Sequence, residues 1–278
     1  LTKKLMSIIT LTTDYGIKDH FAASVKGKII SALPAVQLID ISHCIDLYNV
    51  ANASYVLYGA YKNFPEGTIH MVLVEAEMFD QTSFLLTKFD KHYFLTANNG
   101  AISLLATAAD QTEIIDLNIP NNCNDTVSLY IYVAERILNK ETEALGKSIS
   151  YEDCEQLIEL RAKVSEDENT IVGAIIYEDH YGNAITNITK ELFETVRKNR
   201  KFEINASRYR ISRINEFYAD FNVEAKPIRE YEGEMLFLFN DLDFLQMSIY
   251  KSNPNTVGNV RSLFGLGYRD TIIVNFTE

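Results

Sequence analysis

A strand that runs into an acidic turn and then a helix constrains this chain more than any other stretch. It spans Ile8 to Ile30, I-I-T-L-T-T-D-Y-G-I-K-D-H-F-A-A-S-V-K-G-K-I-I. Ile8 to Thr13 combines β-branched and apolar residues, the pattern of a buried strand. Asp14-Tyr15-Gly16 breaks it with turn residues, and Gly16 admits backbone angles that a bulkier residue resists. Phe21, Val25 and Ile29 then recur every four residues, one face of a helix, with Asp19 placed for its N-cap or first turn. In an open α/β sheet ligands sit at the carboxyl ends of strands, where Asp14 falls. Taken alone, the stretch fits a plain turn and cap as well as a pair of carboxylates facing a polyhydroxylated or cationic small molecule.

The pattern continues. Val36–Ile41, Thr68–Val74, Phe84–Phe89, His92–Thr96 and Ile114–Leu117 read as strands, Asn49–Tyr61 and Val127–Asn139 as helices, and Ala101–Ala108 as an apolar run. This alternation implies a mainly parallel sheet. Beyond the acidic segment Ser165–Asn169 the chain changes to short, closely spaced strands, from Ile171–Tyr177 to Thr271–Phe276. The expected fold is therefore an α/β domain over 1–168 followed by a small all-β, barrel-like domain over 169–278.

Composition mainly excludes. A net charge of -12 over 278 residues disfavours nucleic acid and anionic membrane surfaces as partners. No run of about 20 apolar residues is present to span a bilayer, and Leu1 to Lys4 show no signal-peptide pattern. Cys44, Cys123 and Cys154 are widely spaced, which fits reduced thiols in the cytoplasm. His20, His43, His70, His92 and His180 show no metal-ligand spacing.

Four patches carry chemistry: T-T-D-Y-G-I-K-D (Thr12–Asp19), D-I-S-H-C-I-D-L-Y (Asp40–Tyr48), A-N-N-G (Ala97–Gly100) and E-D-H-Y-G-N-A-I-T-N-I (Glu178–Ile188). In this order they resemble the S-adenosylmethionine (SAM)-dependent fluorinase, chlorinase and hydroxide adenosyltransferase family, whose patterns are T-D-F/Y-G, D-I-S-H, D-N-G and D-x-F-G-N-x-x-T-N-I. The resemblance runs from about Ile8 to Phe276. It implies a homotrimer in which the N-terminal domain of one subunit and the C-terminal domain of the next enclose SAM. It gives Asp14 the ribose hydroxyls, Asp19 and Asp179 the methionine ammonium, and Tyr181 and Asn183 the adenine face and edge. Tyr48 falls where the halogenases carry an aromatic residue against the ribose. No cofactor is implied; SAM is the substrate or ligand.

The water-activating trio of the hydroxide transferases, an Asp in V-D-P-G-V-G, a following Arg and a His in F-H-G-R-D, is altered. The first segment reads V-E-A-E-M-F-D-Q-T-S, Val74–Ser83, and no Arg occurs from Glu75 to Phe94. The second reads N-C-N-D-T-V-S-L-Y, Asn122–Tyr130, with Asp125 where the His stands. The halogenase Tyr-Pro-x-Thr is also missing. Glu75 and Asp125 are thus the candidate catalytic groups, and acidic groups there disfavour a halide. Two readings follow: a hydrolase giving adenosine and methionine, or a non-catalytic relative that binds SAM or an adenosine compound as sensor or scaffold.

Overall fold

A computed structural model describes residues 7–105 and 112–278. The opening residues Leu1 to Lys4 and the tail of the apolar run, 106–108, lie outside the described residues. The chain divides into two compact units, Leu1–Leu157 and Ile158–Glu278.

The first unit contains β1 (Ile8–Thr13), α1 (Phe21–Ala32), β2 (Gln37–Ser42), α2 (Val50–Tyr61), β3 (Ile69–Leu73), β4 (Phe84–Phe89), β5 (His92–Ala97), α3 (Ala101–Leu105), β6 (Glu113–Leu117), α4 (Thr126–Asn139) and β7 (Gly146–Ile149). Its strands form one sheet in the order β2-β1-β3-β5-β4-β6-β7. The first four are parallel neighbours, whereas β4, β6 and β7 join by antiparallel pairing. The sheet is mixed, because β4 returns to β5 through the two-residue turn Asp90-Lys91, too short for a parallel crossover. Both faces are covered. Ile9, Leu11, Met71 and Leu73 pack with α1 and α4, while Val72, Leu85 and Phe94 pack with α2 and α3. Every residue of β3 is buried, His70 included, in a strand otherwise apolar.

Helix α1 departs from its expected start. His20, not Asp19, is its N-cap, and makes no side-chain capping bond. Its buried face is Ala22, Val25 and Ile29, and Phe21 stays 52% exposed.

The second unit contains β8 (Lys163–Val164), β9 (Thr170–Glu178), β10 (Ala184–Thr189), α5 (Lys190–Arg197), β11 (Lys201–Ala206), β12 (Tyr209–Ile211), β13 (Met235–Phe239), β14 (Phe244–Ile249), α6 (Val260–Phe264) and β15 (Thr271–Thr277). The sheet is antiparallel, in the order β12-β11-β15-β9-β10-β14-β13, with β8 beside β9. One bridge, Asn215 to Leu238, brings the segment after β12 against β13, so the sheet curls without a continuous closing ladder. The unit is not all-β, since α5 and α6 lie within it. Phe193 and Val196 of α5 enter the core, along with Ile175, Ile188 and Phe237.

Candidate functional site

Parallel pairing of β2, β1, β3 and β5 sends their carboxyl ends to one edge of the sheet. The loops that follow carry Asp14 after β1, Tyr48 beyond β2, Glu75 after β3 and Asn98-Asn99-Gly100 after β5. The first two loops are tied together. Gly16 N–H donates to the His43 carbonyl over 2.6 Å, and Thr13 Oγ1 lies 2.8 Å from His43 Nδ1. The other ring nitrogen of His43 lies 3.1 Å from Asp40 Oδ1, in contact but without hydrogen-bond alignment. Asp14 Oδ2 accepts the Tyr48 backbone N–H at 2.9 Å. Tyr48 is held at φ 60, with its side chain left exposed.

Glu75 is also left-handed, at φ 45. The Asn99 amide holds it there, donating to the Val74 carbonyl at 3.1 Å and the Glu75 carbonyl at 2.9 Å. Asn99 can reach because Gly100 turns at φ 91, where a Cβ would stand 2.3 Å from Leu157.

Asp14, Glu75 and Asp125 line one cleft of about 280 Å³, together with Tyr15, Ala76 and Glu77. Burial raises the Tyr15 phenol above its ordinary pKa, and the negative charges of Asp14, Glu77 and Asp125 raise it further. The cleft is therefore strongly acidic. Asp125 is partly spent. It is the N-cap of α4, its Oδ1 accepting Ser128 N–H at 2.7 Å and Ser128 Oγ at 3.0 Å. Its Oδ2 pairs with Lys28 Nζ at 2.7 Å. Burial pushes its pKa upward, but the bonds from Lys28 and Ser128 outweigh this and hold the carboxyl below its usual range. Such a group is a poor proton acceptor.

In the second unit Asp179, Tyr181 and Asn183 form the β9–β10 hairpin loop. Asp179 Oδ1 accepts the Tyr181 and Asn183 N–H groups, each at 2.9 Å, and Oδ2 accepts Asn183 Nδ2 at 2.8 Å. Gly182 turns at φ 75 and packs so closely on Asn259 that a Cβ would meet it at 2.4 Å. The Gly182 carbonyl accepts Val260 N–H at 3.1 Å, which ties the loop to the start of α6. Tyr181 is thereby presented 73% exposed.

The predicted residues thus fall into two groups: Asp14, Tyr48, Glu75 and Asp125 in the first unit, and Asp179, Tyr181 and Asn183 in the second. Asp19 joins neither. It lies in the exposed bend before α1, with no partner among the described residues and outside the cleft lining. Sequence reasoning missed the Asn99 grip on Glu75, which reaches back 24 residues, and the Lys28 partner of Asp125. Only the motif status of A-N-N-G pointed to the former. Among the described residues no group of three or more His, Cys, Asp or Glu could hold a metal ion, and no helix is long and apolar enough to cross a membrane.

A sheet with acidic loops at its parallel strand ends, in a chain that also carries a curled antiparallel unit, defines an α/β class whose candidate ligand site lies at the strand ends. The chain belongs to the SAM hydroxide adenosyltransferase family: the model of that family's N-terminal domain matches residues 9–143, and that of its C-terminal domain residues 173–273. An (R)-S-adenosyl-L-methionine hydrolase of Methanocaldococcus jannaschii is 24% identical over 270 residues, 92% of this chain and 93% of its own length. A fluorinase of Nocardia brasiliensis is 34% identical over 62 residues, 22% of this chain and 21% of its own. An uncharacterized conserved protein of Thermotoga maritima shares the fold, with a TM-score of 0.74 at 23% identity over 96% of this chain and 99% of that one. The family read from the four motifs is the family found.

Proposed function

We propose that the chain binds SAM and transfers its adenosyl group to water, releasing adenosine and methionine. The observation that carries this reading is the joint lining of one cleft by Asp14 and Glu75, from adjacent parallel strands. Asp14 keeps acceptor capacity beyond its bond to Tyr48, enough for the two ribose hydroxyls. Glu75 takes a proton from water. The water oxygen then forms a bond to the ribose 5′ carbon as the carbon–sulfur bond breaks, its electron pair passing to the methionine sulfur. The surrounding carboxylates favour the cationic sulfonium and repel a halide, which supports a hydrolase over a halogenase.

Family resemblance supplies the remaining roles: Asp19 and Asp179 toward the methionine ammonium, Tyr48 against the ribose, Tyr181 on the adenine face and Asn183 at its edge. Exposure of Tyr181 and the rigid loop around Asn183 support these two roles. By the same resemblance the second unit of a neighbouring subunit completes the site in a cytoplasmic trimer, and analytical ultracentrifugation reads that assembly.

The binding-only reading draws support from Asp125, whose capping and ion-pair bonds leave little basicity to a trio already lacking Arg and His. One experiment separates the readings: prolonged incubation with SAM, resolved by liquid chromatography against Glu75→Gln and Asp14→Ala. Equal adenosine and methionine from the parent, abolished by Glu75→Gln with SAM affinity retained, is the hydrolase result. Unchanged SAM with saturable binding that Asp14→Ala destroys is the binding-only result.

A further inference from the structure

The cleft has a donor set that no side chain reveals. After β3 the carbonyls of four consecutive residues are each held by a side chain. Asn99 Nδ2 holds Val74 and Glu75 at 3.1 and 2.9 Å, Thr126 Oγ1 holds Ala76, and Thr82 Oγ1 holds Glu77 at 3.0 Å. The Thr82 hydroxyl is itself fixed, accepting Phe79 N–H at 3.2 Å. In a trans peptide the next N–H points opposite to the carbonyl, and no described peptide is cis.

Pinning the carbonyls of Glu75, Ala76 and Glu77 therefore aims the N–H groups of Ala76, Glu77 and Met78 away from Asn99, Thr126 and Thr82. These three residues line the cleft, and among the described residues their N–H groups donate to no protein acceptor. Ala76 is only 8% exposed. The backbone donor of so buried a residue is ordinarily paired. Left-handed Glu75 at the head of the row supplies the backbone reversal from which main-chain N–H concavities are built.

We infer that the Ala76, Glu77 and Met78 N–H groups hold the attacking water, replacing with main-chain donors the Arg and His that the sequence lacks. The occupant is an uncharged oxygen nucleophile. One lone pair accepts from this row of N–H groups, the other faces the ribose 5′ carbon, and a proton faces the Glu75 carboxylate, whereas a halide would meet the charges of Glu75, Glu77 and Asp14. As the water attacks, its proton passes to Glu75, the 5′ carbon–oxygen bond forms, and the sulfonium leaves as neutral methionine. Asn99, Thr126 and Thr82 are positioning residues. Asn99 Nδ2, Thr126 Oγ1 and Thr82 Oγ1 donate to the carbonyls behind the cradle.

This inference rests on the hydrolase reading, so its test has one arm without turnover. Thr82→Val and Thr126→Val keep side-chain shape and release the carbonyls. Combined, they are expected to lower kcat for adenosine release at least tenfold while KM and SAM affinity stay within twofold. Unchanged kcat in a folded double variant, or a loss confined to KM, overturns the inference. The second arm is water–amide cross-relaxation by NMR on the ligand-free protein. A held water gives direct cross-peaks at the Ala76, Glu77 and Met78 amides that the double variant loses; their absence from the parent overturns the inference. If the parent shows the cross-peaks but does not hydrolyse SAM, the cradle stands and the hydrolase reading alone fails.

Discussion

On the proposed function, Asp14 serves ligand and protein with the same carboxylate. One oxygen is committed to the Tyr48 N–H, so Asp14→Ala removes the ligand contacts and also unties the Tyr48 loop. Charge-assisted bonds of this kind contribute roughly 1.5–3 kcal/mol, which corresponds to an expected loss of about 10- to 100-fold in SAM affinity by calorimetry. Asp14→Asn keeps an acceptor for Tyr48 and is expected to lose less. The position of Asp14 was legible because a strand followed by D-Y-G needs only local chemistry to read. Asp125 was legible in a different way than expected. D-T-V-S before an apolar run is a helix-start signal, yet alignment to a missing His drew attention to catalysis, and the structure shows the cap. Asn99 could not be read this way, because its partners lie in the loop after β3, which the sheet brings alongside the end of β5.

The same residues act on whole elements. Asp125→Ala strips α4 of its cap and of the Lys28 pair, which is solvent-exposed and contributes little. The expected cost is about 1 kcal/mol in urea denaturation. Asp125→Asn, still able to accept from Ser128, is expected to recover most of it. If both variants lose equally, the ion pair and not the cap governs α4. In the second unit Gly182→Ala must force a Cβ against Asn259 at a positive φ, a strain of at least ~1 kcal/mol. It is expected to weaken SAM binding by displacing Tyr181 and Asn183, with the remaining antiparallel amide signals unchanged. Long apolar strands were readable because burial on both faces leaves an unbroken run. Helix α5 was passed over although Leu192, Phe193 and Val196 have helical spacing, since eight residues among strands give periodicity little room. Short β7 and β8 are exposed at several positions and bear no apolar signature.

At the scale of the molecule, acid stability is expected to depend on the end of the first sheet remote from the cleft. His70, near the start of β3, places Nδ1 2.7 Å from Thr10 Oγ1 and Nε2 3.2 Å from His92 Nδ1. Neutral rings satisfy this row: in one pair of tautomers the Thr10 hydroxyl donates to His70 and His70 to His92, and in the other both bonds reverse. Tyr61, Phe64 and Phe94 enclose it, with Asp90 bonded to Tyr61. Burial, and then the field of His92, lower the His70 pKa from 6.5 to about 3. Burial also lowers that of His92, against the opposing pull of Asp90 and Glu66. The unfolded chain therefore binds a proton below pH 6.5 that folded His70 refuses until about pH 3. Stability contributed by the neutral ring is complete above pH 7 and is lost as pH falls through that window. The slope is about 1.4 kcal/mol per pH unit and the full loss at most roughly 5 kcal/mol. Paired carboxylates such as Asp40 and Asp125, held below their usual range, lose their contribution only at lower pH. The interval from pH 6 to 4.5 thus isolates the imidazoles. Urea denaturation of the parent and of His70→Gln across that interval is expected to show a steep fall for the parent and a shallower one for the variant. Parallel slopes would mean that His70 is protonated in the folded protein. Because the row lies at the amino-terminal half of the parallel strands, His70→Gln is also expected to leave SAM affinity at pH 7.5 unchanged, which separates acid sensitivity of the fold from that of the cleft.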